Sequence, residues 1–257
     1  MTFIHSTAII SPKAEIGADV SIGPYVVIED NVFIGAGTTI GPHAVIHRYT
    51  KIGQRNRIHA HAVLGDLPQH LAYKGNETWL EIGDDNIIRE MVTIHRALGE
   101  ESSVTRIGSN CFLMGNSHIG HDCVVGDHVI ITNNAAIGGH VEIGNRAIIG
   151  GMVGVHQFVR IGALAMVAAC TMVRKDVLPY CMVGGDPVKH YRLNAVGLRR
   201  NGINGDSYRN LEKAYRRLRA GLSLDGIENT AEVDHWRLWL VDNSKRGISG
   251  FVKAGSE

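Results

Sequence analysis

Aliphatic residues recur at every sixth position from Ile4 to Leu64, passing through Ile10, Ile16, Ile22, Ile28, Ile34, Ile40, Ile46, Ile52 and Ile58. The beat returns at Ile82, Ile88 and Ile94, then runs unbroken from Ile107 to Val173. Polar and small residues fill the gaps, and Gly often follows the aliphatic, as in Ile22-Gly23, Ile40-Gly41 and Ile143-Gly144. A period of six fits neither an α-helix nor a long alternating strand. It fits a short strand and a turn repeated as one unit. A single hexad cannot bury its own aliphatic, so the pattern predicts coils that stack and share a core. Glycine at the corner is expected there for the positive φ it tolerates.

In the hexapeptide-repeat proteins that such hexads resemble, three hexads close a triangular coil of about 18 residues, and coils stack at about the 4.8 Å strand spacing. That resemblance implies a mainly β chain folded as a left-handed parallel β-helix, an exception to right-handed crossovers.

Two excursions interrupt the beat, at residues 66–81 (DLPQHLAYKGNETWLE) and 97–106 (ALGEESSVTR). Loops inserted into a rigid solenoid are places to look for function. The solenoid, with these loops, is expected over 1–190. Beyond it, over 191–257, the hexads give way to helical spacing. Leu211, Ala214, Tyr215 and Leu218 form one stripe, opened by Asp206 or Ser207 as N-cap, and Val233, Trp236 and Leu240 form another over Ala231 to Lys245. This small α-helical domain is expected to cover an open end of the prism.

With 44% hydrophobic and 20% charged residues in 257, the chain has the material for one large and one small domain. A net charge of +1 argues against nucleic acid or an anionic membrane as the main partner. No stretch resembles a signal peptide or an 18-residue apolar span, so a cytoplasmic protein without stable membrane insertion is expected. The cysteines, Cys111, Cys123, Cys170 and Cys181, form no CxxC pair and read as reduced core thiols.

Counting hexads in threes places Ile119, Ile137 and Val155 on one face in successive coils. His118, His121, His140 and His156 lie beside them, with Asp122 adjacent, so four imidazoles line one edge. Such a row suits general base catalysis and hydrogen bonding to sugar and phosphate. Zinc is the rival use, in a metal-dependent hydratase, since some left-handed β-helix trimers hold zinc with three histidines across a subunit boundary. The His118-x-x-His121 spacing counts against that, and no metal is assigned. No nucleophile elbow, Ser-His-Asp signature or P-loop is present, so direct attack by an activated hydroxyl is the simpler chemistry.

The stretch Met114 to Cys123 (MGNSHIGHDC), with Asn133-Asn134, Gly139-His140, Ile149 to Met152 and Val155 to Phe158, resembles the UDP-N-acetylglucosamine O-acyltransferases that begin lipid A synthesis. So do Ile88 to Glu90, Thr93 to Arg96, Asn194 to Gly202 and Arg246 to Ile248. The resemblance implies transfer of a 3-hydroxyacyl chain from acyl carrier protein to the 3-position of a UDP-sugar, by a homotrimer with sites between subunits. The only prosthetic group needed is then the phosphopantetheine of the carrier protein. His121 is implied as general base, Asp122 as its partner and the Gly139 N–H as oxyanion donor. Gln69, His118, His140, His156, Gln157, Asn194 and Arg200 are implied in substrate binding, and Ala168 or Ala169 in measuring the acyl chain. The basic helical domain is then expected to offer a docking surface for the acidic carrier. Two departures stand out. Gln69-His70-Leu71-Ala72-Tyr73 replaces a Gln-Asp-Leu-Lys-Tyr pattern, and Asn201 replaces an arginine. Changes near the sugar leave open a 3-amino acceptor, which gives an amide product.

Overall fold

The computed structural model describes residues 1–242 and 244–253. Each hexad contributes a strand of two to four residues, and successive coils pair in parallel eighteen positions apart, as Phe3 with Ser21 and His118 with Ala136. Three sheets of twelve, nine and eight strands, here A, B and C, form a triangular prism. The fold is a left-handed parallel β-helix with a small C-terminal helical part. The register stretches only where the excursions enter: Arg57 pairs with Ile87 and Ile87 with Phe112. The excursions are shorter than the sequence suggests, because Asp66 ends one strand, Trp79 begins the next, and Val104–Ile107 is itself a strand.

One continuous core runs up the prism axis, built from the hexad aliphatics and the small residues at their corners. Side chains alternate faces along a strand, so the residue before each aliphatic points outward. On sheet A that outward column is apolar over six coils, from Ile87 through Phe112, Ile130, Ile148 and Met166 to Met182.

The glycine expectation needs correction. The residues with positive φ are mostly not glycine; they are the third residues after the aliphatic, such as Asp122 (57°), His140 (58°) and Phe158 (65°). Glycine after the aliphatic serves close approach instead. A Cβ on Gly35 would stand 2.4 Å from the Gly53 carbonyl carbon of the next coil, and one on Gly144 would stand 2.4 Å from the Ala163 nitrogen. Cys170 also departs from expectation: it sits exposed at such a corner, whereas Cys111, Cys123 and Cys181 are buried.

At the C-terminal end sheet A continues past the hexads. Cys181–Gly184 pairs antiparallel with Lys189–Leu193, and Gly250–Phe251 adds one more strand to that edge. Three helices follow Leu193: α1 (Ala195–Arg200), α2 (Gly205–Arg219) and α3 (Ala231–Val241). The N-cap of α2 is Asn204, ahead of the expected Asp206 or Ser207, and Asp206 lies in the first turn where its charge favours the helix dipole. Thr230 caps α3 by accepting from the Val233 N–H, and α3 stops at Val241, short of Lys245. Residue 243 and residues 254–257, the end of the expected helical domain, lie outside the described residues. A second core of Leu198, Leu211, Ala214, Tyr215, Val233 and Trp236 joins the helices to Leu178 and Tyr180 of the last coil, with Trp236 Nε1 donating to the Pro179 carbonyl at 3.0 Å. No helix among the described residues is long and apolar enough to cross a membrane.

Candidate active site

The outward column of sheet B starts with Ile9, Val27, Val45 and Val63 and changes at Thr93, which is followed upward by His118, Ala136, Gly154 and Met172. Small residues above His118 leave a hollow where side chains would otherwise stand. Gly120, Gly138 and Gly139 deepen it at the strand ends, and the result is a cleft of about 330 Å³. Gln69 of the first loop, His95, His118, His121, His156 and Gln157 supply its polar wall.

His121 is almost fully buried. Its Nδ1 donates to Asp122 Oδ2 at 2.7 Å, which leaves Nε2 as the basic atom. Asp122 is held by the second loop, accepting from the Leu98 N–H at 2.9 Å and donating its own N–H to Thr105 Oγ1 at 2.8 Å. Burial pushes the Asp122 carboxyl upward, but the His121 and Leu98 hydrogen bonds and the neighbouring His140 outweigh it and hold it below its ordinary range. Asp122 is therefore an anion that fixes the His121 tautomer.

The ring of His121 lies over Gly139. A Cβ there would be 2.5 Å from His121 Cε1 and 2.6 Å from Nε2. The Gly139 N–H bonds no acceptor among the described residues, while its carbonyl accepts from Phe158 at 3.1 Å. Directly above His121 in the stack stand Gly139 and then Gln157, so His140 is its diagonal neighbour, in ring contact at 5.1 Å. His140 Nε2 stands 3.7 Å from Asp122 Oδ2, and burial lowers the His140 pKa. His118 shares a 2.8 Å hydrogen bond with Thr93 Oγ1, and burial together with His95 and His121 lowers its pKa to about 4. It is thus a neutral ring at neutral pH.

The structure brings together Gln69, His118, His121, Asp122, Gly139, His140, His156 and Gln157. Asn194, Arg200, Ala168 and Ala169 stand apart from the cleft within one chain. Asn194 caps α1, accepting from the Gly197 N–H at 3.1 Å and donating to the Leu164 carbonyl at 2.9 Å. Arg200 is exposed at the end of α1. Ala168 and Ala169 turn the corner between sheets A and B; Met172, which lies across Gly154, borders the cleft on its apolar side.

Several contacts escaped the sequence reading. His95 is buried, lines the cleft and meets His118 edge-on at 5.0 Å. The hexad count from Ile94 puts it one coil below Gly120, but the following excursion hides that phase. His70 meets His121 edge-on at 5.5 Å. Buried Arg96 pins the first loop, donating to the Arg48 carbonyl at 3.1 Å and to the Tyr73 hydroxyl at 3.2 Å. Ligand atoms of His121, Asp122 and His140 lie within 4.8 Å of one another. A cation there would have to displace the His121 proton from Asp122 Oδ2.

Comparison with known proteins decides the family. The acyl-[acyl-carrier-protein]--UDP-N-acetylglucosamine O-acyltransferase of Halorhodospira halophila is 43% identical to 96% of this chain, over 99% of its own length. The chain belongs to the UDP-N-acetylglucosamine O-acyltransferase family. It is an acyltransferase. The family's "domain 2" matches residues 176–249, and the bacterial transferase hexapeptide repeats match 31–66 and 105–139. The UDP-N-acetylglucosamine O-acyltransferase of Moraxella catarrhalis superposes with a TM-score of 0.87 at 44% identity, covering 95% of this chain and 98% of that one. The UDP-N-acetylglucosamine acyltransferase of Campylobacter jejuni gives 0.90 at 33% identity, covering 97% of this chain and all of that one. Both agreements include the helical part as well as the prism.

Proposed function

We propose that this acyltransferase moves a 3-hydroxyacyl chain from acyl carrier protein to the 3-hydroxyl of UDP-N-acetylglucosamine, with His121 as general base. The observation that carries the reading is the His121–Asp122 pair set against the unpaired N–H of Gly139. His121 Nε2 takes the proton of the sugar hydroxyl as its oxygen attacks the thioester carbonyl. Asp122 stabilises the imidazolium that forms, and the Gly139 N–H donates to the oxyanion. On collapse the C–S bond breaks, and Nε2 returns the proton to the departing pantetheine thiolate. Neutral His118 and His140 suit hydrogen bonds to the sugar, and His156 and Gln157 continue the polar wall towards the nucleotide.

The surfaces support the partners this reading requires. The apolar outward column of sheet A, Ile87 to Met182, supports a homotrimer packed through the prism faces. In such a trimer a neighbouring copy delivers Arg200 to the diphosphate, with Asn194 holding α1 in place. The groove of about 400 Å³ between α2 and strand Lys189–Leu193 bears Arg192, Arg216 and Arg219 beside Tyr191 and Tyr208, a surface suited to an acidic carrier protein. Ala168 and Ala169 bound the far end of the acyl path, and their small size suits a long chain. The reaction belongs to the cytoplasm, where both substrates are soluble.

One observation favours a second acceptor. His70, standing where the family pattern has an acid, packs against the base itself, and Ala72 removes a lysine. A 3-amino group is the better nucleophile once neutral, and the same base serves it. Competition between UDP-N-acetylglucosamine and its 3-amino analogue for 3-hydroxyacyl-carrier protein separates the two. Dominant ester product supports the first reading and dominant amide the second; transfer to neither overturns both.

A further inference from the structure

The sequence near the C-terminus, Lys245-Arg246-Gly247-Ile248, has no part in the chemistry above, yet the fold returns it to the corner that holds the base. Its placement is firm. Ile248 bridges Asp176 in parallel, the Ser249 N–H donates to the Asp176 carbonyl at 2.9 Å, and Ser249 Oγ donates to the Lys175 carbonyl at 3.2 Å. Asp176 is itself buried and takes both the backbone N–H and Nε of Arg160 at 2.9 Å. Beneath the segment, His190 accepts from the Leu178 N–H through Nε2 and donates through Nδ1 to the Ser249 carbonyl at 3.0 Å.

From this anchored strand Arg246 Nε donates to the Gln157 carbonyl at 2.7 Å. The same carbonyl faces His156 Nδ1 at 3.3 Å. Lys245 Nζ stands 4.5 Å from the Phe158 ring centre and the Arg246 guanidinium 5.8 Å from it, so two cations face one aromatic ring. Phe158 holds a left-handed backbone conformation, uncommon for a bulky residue and dependent on its surroundings. Its ring stacks flat on His140, at 4.5 Å and 9°. His140 then meets His121 edge-on and Asp122 through Nε2. Tail, Phe158, His140 and the catalytic pair thus form one contiguous column.

We propose that Lys245 and Arg246 are positioning residues of the acyltransferase site: they clamp Gln157 and Phe158, and through the Phe158–His140 stack they hold the Asp122–His121 pair against Gly139. The inference rests on the reading of His121 as general base. Neither residue touches the reacting atoms, so the loss falls mainly in kcat, and any smaller change in KM is confined to the UDP-sugar, whose wall includes His140 and Gln157.

The test measures kcat, KM for both substrates and the thermal midpoint in full-length Arg246→Ala, Arg246→Lys, Phe158→Leu and the Arg246→Ala/Phe158→Leu double variant. Arg246→Ala is expected to lower kcat about tenfold with KM within about twofold and an unshifted midpoint, and Arg246→Lys, which keeps a donor and a cation, to recover most of it. Residues acting through one contact are not additive, so the double variant should be no slower than the slower single one. Wild-type kcat in Arg246→Ala, or losses that multiply in the double variant, overturns the proposal. So does a fall in kcat that only tracks a lowered midpoint across the set. His121→Ala in the same assay separates the layers. If it stays active, the base reading fails; if it is inactive while Arg246→Ala is normal, only the tail inference fails.

Discussion

Two edges of the same prism carry stacked aromatic residues at the same hexad position, and only one of them has the makings of a catalyst. At the corner between sheets A and B, Tyr25, His43 and His61 stack at 5.0 and 4.9 Å, nearly parallel and exposed. At the corner between sheets B and C, Asp122, His140 and Phe158 occupy the equivalent left-handed positions, with His121 one residue earlier. The repeat supplies the ladder in both places. What differs is the cover. The second ladder has two inserted loops against it, one providing His70 and Gln69 and the other the Leu98 N–H, and a floor of glycine and alanine beside it. An imidazole gains a function here from a fixed tautomer, an anionic partner and exclusion of water, none of which the first ladder has.

The largest effect that tests this contrast is at the two histidines, His121 and His61. His121→Ala should reduce kcat by about 10³-fold, the span of a lost general base, while His61→Ala leaves acyl transfer within about twofold. Similar losses at both edges would erase the comparison. Next comes the floor. Pro42 and Ala60 carry a Cβ at the corner position that Gly139 occupies, so the backbone there accepts a side chain. What Gly139→Ala disturbs is the His121 ring 2.5 Å away, and a roughly 10²-fold fall in kcat is expected with the thermal midpoint little changed. Ala60→Gly should leave activity as it is; a Gly139→Ala enzyme of normal rate would show that the ring is free to move.

A third effect appears in acid. Burial lowers the pKa of both His118 and His190 to about 4 from an ordinary value near 6.5. The unfolded chain therefore binds these protons first as pH falls below about 6.5, and stability drops with pH until the folded values near 4 are passed. For His190, which has no exposed surface, the full loss is of order 3 kcal/mol. Denaturant melts at stepped pH should show this slope, reduced by about one proton in His118→Gln and not in His61→Gln. The smallest expected effect is that of chelation. Prolonged treatment with a strong zinc chelator should leave transfer unchanged; loss restored by added zinc would convert His121, Asp122 and His140 into ligands.

The periodicity of the chain was enough for stacked coils with a shared aliphatic core and for the coil that each of His118, His121, His140 and His156 joins, while the triangular prism and its hand came from the resemblance to hexapeptide-repeat proteins. It misassigned glycine, since close approach between coils and positive φ both call for a small residue, and only coordinates separate Gly35 from Asn31. It also read four histidines as one edge. In the folded chain His118 stands on the sheet face, His156 at a strand end, and only His121 and His140 turn the corner.

Local order thus followed from the sequence by itself: which residues face the axis, which coil each histidine joins, and that Asp122 stays beside His121. Tertiary structure alone decided what surrounds them. It brought His70 onto His121, Leu98 to Asp122, and Lys245 and Arg246 back across the chain to Phe158. A repeat specifies contacts one coil apart, because each coil repeats the geometry of the last. Loops and a C-terminal strand obey no period, and where they land is set by the particular hydrogen bonds and packing that the closed fold makes available.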